Sequence, residues 1–232
     1  MASAGEIVAV VGMKYTHTGH TVCSDEQPIA LEEKGVEWRL ANASPGGDDP
    51  DFREASPFGK IPAMKDGDYT LADSTAIVVY ADAKHPERPM LPAEPRARGK
   101  AMWFDEWADT MLVASGGKVL FNRLVGPKLL KRPFDEAVAL QGEAELPALW
   151  DYLESVAPDD GWLAGEFSLG DIAVASAMRS LSYVGHGPNP AYPRTHAWYH
   201  RVAARPAWQV VARAEAPVAE RLGNATGVIE TA

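Results

Sequence analysis

The sequence predicts an α/β domain over residues 1–86, a linker at 87–95 and an all-helical domain over 96–232. Three observations carry this. Short β-branched runs alternate with a helical pattern in the first part of the chain. A proline-rich stretch, Pro86 to Pro95 (PERPMLPAEP), follows them. Beyond it strand signals disappear and only helical periodicity remains.

Ile7-Val-Ala-Val-Val-Gly-Met13 is short and β-branched, as a buried strand is. Lys14 to Cys23 is a polar loop rich in Thr, His and Gly. Ser24-Asp-Glu-Gln27 reads as a capping box, with Pro28 still in the first turn of the helix that follows. That helix stops at Gly35. Val36 to Leu40 alternates like a second strand, and Ser44 to Asp51 (SPGGDDPD) reads as a loop. Ile61 to Met64 and Tyr69 to Leu71 flank an Asp66-Gly67 turn and predict a hairpin. Asp73 or Ser74 caps the next helix, which places Ala76, Ile77, Tyr80 and Ala81 on one face. It closes on Lys84-His85, a basic last turn, before Pro86. Helical patterns in the second domain span Arg96–Leu124, Asp135–Val156, Ser168–Tyr183 and His196–Ala204.

Composition narrows the function. Twenty-two basic against 32 acidic residues give a net charge of −10. Phosphate binding needs a basic footprint, so nucleic acid is not the expected partner. One cysteine, Cys23, excludes an internal disulfide and suits a reducing cytoplasm. The apolar run at Ile7 follows Glu6, where a secretory leader carries positive charge, and no stretch is long enough to span a bilayer. The expectation is a cytoplasmic protein with no membrane partner.

The chemistry concentrates between Pro57 and Tyr80, PFGKIPAMKDGDYTLADSTAIVVY. This segment resembles the glutathione-site motif of the soluble glutathione transferases, and the resemblance runs from about Ile7 to Gln209. Phe167-Ser-Leu-Gly-Asp-Ile-Ala173 is similar to the family's capping box in its buried helix, and Tyr192 to Pro206 to its late helix. The resemblance implies a thioredoxin-like first domain, glutathione as co-substrate, no metal, a homodimer and a role in detoxification. It also implies a cis Ile61–Pro62 bond that exposes the Ile61 backbone to the cysteinyl part of glutathione, like an added strand. Asp73 then meets the γ-glutamyl amino group, and the helix start at Ser74 meets the γ-glutamyl carboxylate. Lys60 meets the glycyl carboxylate. Taken singly, these features read as a hairpin, a helix cap and a surface lysine.

For the group that stabilises the thiolate, alignment on Ile29–Gly35 offers Thr21, Cys23 and Ser24. Ser24 is explained equally by capping. Cys23 gains acidity from a helix N-terminus and loses it to Asp25 and Glu26. Thr21 offers a hydroxyl donor. Positions Cys23 and Ser24 match bacterial branches of the family. His17, His20 and Cys23 have an H-x2-H-x2-C spacing but lack the fourth ligand of a structural zinc. In the second domain, Trp103, Trp107 and Met111 are candidate walls of a pocket for an aromatic second substrate, or core residues by the same spacing. The expected reaction is attack of the glutathione thiolate on an electrophilic carbon. The alternatives are thiol transfer or aryl-ether cleavage through Cys23 or Ser24, and glutathione binding without catalysis on the same fold.

Overall fold

A computed structural model describes residues 7–10, 26–41 and 50–226. The chain divides into two compact units, the first ending at Met90 and the second beginning at Leu91.

The first unit orders strand β1 (Ile7–Val10), helix α1 (Glu26–Lys34), strand β2 (Trp38–Ala41), helix α2 (Pro50–Ala55), strands β3 (Ala63–Asp66) and β4 (Tyr69–Ala72), and helix α3 (Ser74–Lys84). The sheet order is β2-β1-β3-β4, with β1 and β2 parallel and the other pairs antiparallel. This is a thioredoxin-like arrangement. Successive strand side chains point to opposite faces. Met64 packs with Leu31 of α1 and Ile77 and Ala81 of α3, whereas Ala63 packs with Phe52 and Ala55 of α2. A sheet covered on both sides explains why neighbouring residues 62–64 are all buried.

Helix α1 ends as the sequence predicts. Gly35 takes a left-handed φ of 66°, and the N–H groups of Gly35 and Val36 donate to the carbonyls of Glu32 and Leu31. These two bonds satisfy carbonyls that would otherwise lack a partner. Lys34 just before it has a fully buried side chain. Its ammonium donates to the Asp82 carboxylate at 2.7 Å and to the carbonyls of His85 and Arg88 at 2.8 and 2.9 Å. Asp82 also accepts the Met90 N–H. The proline-rich stretch is therefore tied to α1 and α3 as far as Met90.

Two details differ from the sequence reading. Helix α2 is an extra element, too short for periodicity to reveal, with Phe52 and Ala55 as its inward pair. The hairpin loop is Gly67-Asp68, because Asp66 pairs with Tyr69; Gly67 supplies the positive φ of 63° at its first position.

The second unit is helical: α4 (Pro95–Trp107), α5 (Val113–Leu120), α6 (Glu136–Val156), α7 (Leu169–Ser182), α8 (Pro193–Ala203) and α9 (Pro206–Thr226). Two π-helical segments, Ala108–Leu112 and Phe121–Leu129, continue α4 and α5, so helical backbone runs from Pro95 to Leu129. Each segment has a side chain that bonds a carbonyl four residues back. Thr110 donates to Glu106 and Asn122 to Lys118. Occupying that carbonyl helps the backbone slip to the wider π turn. Helix α9 lies mostly past the patterns read from sequence.

Helix α7 is buried almost throughout and packs on α4, α5 and α8. A Cβ on Gly170 would lie 2.6 Å from the Ala101 carbonyl oxygen, so α4 and α7 approach as closely as glycine permits. The predicted capping box is present at Ser168 and Asp171. Asp171 also accepts the Leu163 N–H and the Trp198 indole N–H, both at 2.9 Å. One carboxylate thus joins the start of α7, the preceding loop and α8. Burial pushes its carboxyl up to about 6, against these donors, which pull it down.

Candidate functional site

The site begins where α2 ends. Ser56 is buried; its N–H donates to the Phe52 carbonyl and its hydroxyl donates to the Lys60 carbonyl at 2.6 Å. Gly59 turns back with a φ of 68° and donates to the Ser56 carbonyl at 2.9 Å. This short loop lifts Phe58 to 93% exposure and leaves Lys60 on the surface. Ile61–Pro62 is cis. The ladder of β3 starts only at Ala63, opposite Val10 of β1 and Ala72 of β4. Among the described residues, the Ile61 N–H and C=O make no hydrogen bond. A backbone donor and acceptor at the end of a strand can receive an extended peptide.

The same structure brings Asp73 beside this strand end. Its N–H donates to the Pro62 carbonyl at 3.0 Å. Its carboxylate accepts the Ala76 N–H at 3.0 Å, which makes Asp73 the cap of α3. The backbone of Asp73 has φ 89° and ψ 130°, a region that L-residues rarely adopt. Such strain persists where the surroundings fix it and gathers at binding sites. Ser74 opens the helix and is buried. Helix N-termini present donors and partial positive charge, which suits a carboxylate.

Ile61, Pro62, Asp73 and Ser74 therefore lie together at one end of strands β3 and β4, with Lys60 exposed before them. Thr21, Cys23, Ser24, His17 and His20 lie outside the described residues, as does the first residue of the predicted capping box. Trp103 is 45% exposed and donates its indole N–H to the Tyr152 hydroxyl at 2.8 Å. Trp107 is 2% exposed and packs against the Tyr152 ring, with centroids 5.5 Å apart. Met111 is 42% exposed. Trp103 and Met111 thus present surface, while Trp107 sits in the core of the second unit.

Sequence reasoning missed Ser56 and Tyr152. A lone serine before proline and a lone tyrosine in a long helix carry no pattern; only the fold shows what they hold. At the far end of β3, Asp66 accepts the Tyr80 hydroxyl at 2.8 Å and contacts the Lys84 ammonium. Burial would raise the Asp66 carboxyl, but these two partners outweigh it and hold it below the usual range. Among the described residues no group of three or more His, Cys, Asp or Glu converges on a metal position. Among the described residues no helix is long and apolar enough to cross a membrane.

Comparison with known proteins agrees with this geometry. Residues 25–89 match the family model "Glutathione S-transferase, N-terminal domain", and residues 117–206 match "Glutathione S-transferase, C-terminal domain". Glutathione S-transferase 3 of Zea mays is 33% identical over 187 residues, covering 77% of this chain and 83% of the maize protein. FtsZ-localized protein A of Caulobacter vibrioides is 25% identical over 168 residues, 70% of this chain and 74% of that protein. The solved structure of glutathione S-transferase-I bound with lactoylglutathione superposes with a TM-score of 0.74 at 26% identity, covering 89% of this chain and 98% of that one. With a plant enzyme at 33%, these similarities do not single out the bacterial branch suggested by Cys23 and Ser24. On the two family models and the maize enzyme together, the chain belongs to the glutathione S-transferase family.

Proposed function

We propose that the strand end formed by Lys60, Ile61, Pro62, Asp73 and Ser74 binds glutathione and presents its thiolate to a hydrophobic, aromatic electrophile. The observation that carries this reading is the Asp73 N–H bonded to the Pro62 carbonyl, beside an Ile61 backbone that makes no hydrogen bond among the described residues. Glutathione lies along Ile61 as an added strand. The amino group of its γ-glutamyl end pairs with Asp73, and its carboxylate faces the start of α3 at Ser74. The glycyl carboxylate meets Lys60. Thr21, Cys23 and Ser24 supply the donors that stabilise the thiolate. Binding both partners in line lowers the barrier by positioning, and the thiolate donors by charge stabilisation. Trp103 and Met111 offer the apolar surface for the second substrate, while Trp107 stays in the core.

The assembly is a homodimer in the cytoplasm that clears electrophiles. Phe58, at 93% exposure, with Tyr69 and Val79 at 44% and 43%, leaves apolar surface on the first unit for a partner subunit. The test is conjugation of glutathione to 1-chloro-2,4-dinitrobenzene, followed by absorbance. Asp73→Ala removes a charged contact and raises KM for glutathione about tenfold or more. An unchanged KM in a folded Asp73→Ala protein contradicts the reading.

The similarity to FtsZ-localized protein A favours a second reading, in which the same fold binds glutathione and acts through a protein partner. That reading predicts retention on immobilised glutathione with no conjugation of any small electrophile.

A further inference from the structure

Helix α8 carries two histidines one turn apart, His196 and His200, on a single helix face. Their Nε2 atoms are 3.1 Å apart, and the rings meet edge-on with centroids 4.3 Å apart. His200 is exposed and His196 half-buried. The Tyr199 ring packs edge-on against His200 at 5.6 Å and restricts its imidazole. Neutral imidazole is the form that ligates metals.

The spacing suits more than a shared hydrogen bond. Late first-row divalent ions hold imidazole nitrogen at about 2.0–2.1 Å. Two such nitrogens stand about 2.8–3.0 Å apart on neighbouring positions of a square ion and about 3.3–3.4 Å apart on a tetrahedral one. The observed 3.1 Å lies between these two values, so a small side-chain adjustment serves either geometry. Histidines at i and i+4 on a helix are also how H-E-x-x-H zinc sites obtain two of their ligands.

We propose that His196 and His200 form a two-histidine site for a late first-row divalent cation, with Cu2+ preferred and Ni2+ and Zn2+ behind it. Metal binding replaces the hydrogen bond between the rings. The proton it used moves from Nε2 to Nδ1 of the same imidazole, so both Nε2 lone pairs face the ion. No third side chain converges there among the described residues, so water fills the remaining positions. The net charge of −10 favours cations around the molecule as a whole. Two ligands and an open coordination sphere imply weak binding that exchanges readily.

The test is calorimetric titration of the full chain with Ni2+, which does not oxidise Cys23, alongside His200→Gln and His196→Gln. The wild-type chain should bind one equivalent that either substitution weakens by about tenfold or more, since each removes one of only two protein ligands. Identical stoichiometry and affinity in both variants would overturn the site. A measurement on the unaltered protein guards against a folding defect. Ni2+ should broaden the imidazole resonances of His196 and His200 together at low ion-to-protein ratio. Sharp signals from both rings at saturating Ni2+ would also overturn it.

Discussion

At the residue scale, the site depends on groups that fix backbone as much as on groups that face a ligand. Asp73 and Lys60 stood out as candidates in the sequence because charged residues at a helix start and before Ile61-Pro62 belong to a recognisable order of residues. Ser56 was not, although its hydroxyl holds the Lys60 carbonyl at 2.6 Å from a fully buried position. Its role depends on the end of α2, an element without a sequence signal. Ser56→Ala leaves that carbonyl without its partner and should cost about 1 kcal/mol of stability. Loosening of the Lys60–Pro62 backbone should also raise KM for glutathione several-fold with kcat little changed. Steady-state kinetics and a urea melt check both; a stable variant with unaltered KM would show that Ser56 does not position the site.

At the element scale, helix starts and stops were readable where side chains or glycine supply the missing backbone partners. Gly35 and the Ser168–Asp171 box are both such places. The π-helical segments were not readable, because a wider turn changes the helix period without announcing itself in residue type. Only the paired back-bonds of Thr110 and Asn122 hint at them. Asp171 is the element-level keystone. Asp171→Ala strands the Ser168, Leu163 and Trp198 donors in the core and should cost about 3–5 kcal/mol, measured by chemical denaturation. Its pH dependence has a defined sign. The folded carboxyl titrates at about 6 and the unfolded one at 3.8, so the folded state takes up the proton first as pH falls. The wild type should therefore gain stability relative to Asp171→Asn between pH 7 and about pH 4, and level off below. A difference that stays flat or moves the other way over that range would show that its donors, not burial, set the carboxyl's titration.

At the scale of the whole molecule, the division into an α/β unit and a helical unit was legible from the loss of strand signal after the proline-rich stretch. The identity of the thiolate-stabilising group was not, since Thr21, Cys23 and Ser24 all suit the role on chemistry alone. Assembly is testable directly. Phe58 is nearly fully exposed, and an apolar ring held out on a turn gains most by burial against a partner. Phe58→Glu should convert a dimer to a monomer in light scattering after gel filtration; a dimer that survives the substitution places the interface elsewhere. The proposed function stands on glutathione occupying the strand end between Ile61 and Asp73. A crystal structure of the chain with glutathione tests it most directly. The expected result is paired hydrogen bonds from the Ile61 backbone to the cysteinyl residue, the γ-glutamyl end at Asp73 and Ser74, and the sulfur within about 3.5 Å of a donor among Thr21, Cys23 and Ser24. Glutathione bound elsewhere, or an Ile61 backbone with no ligand contact, would contradict it.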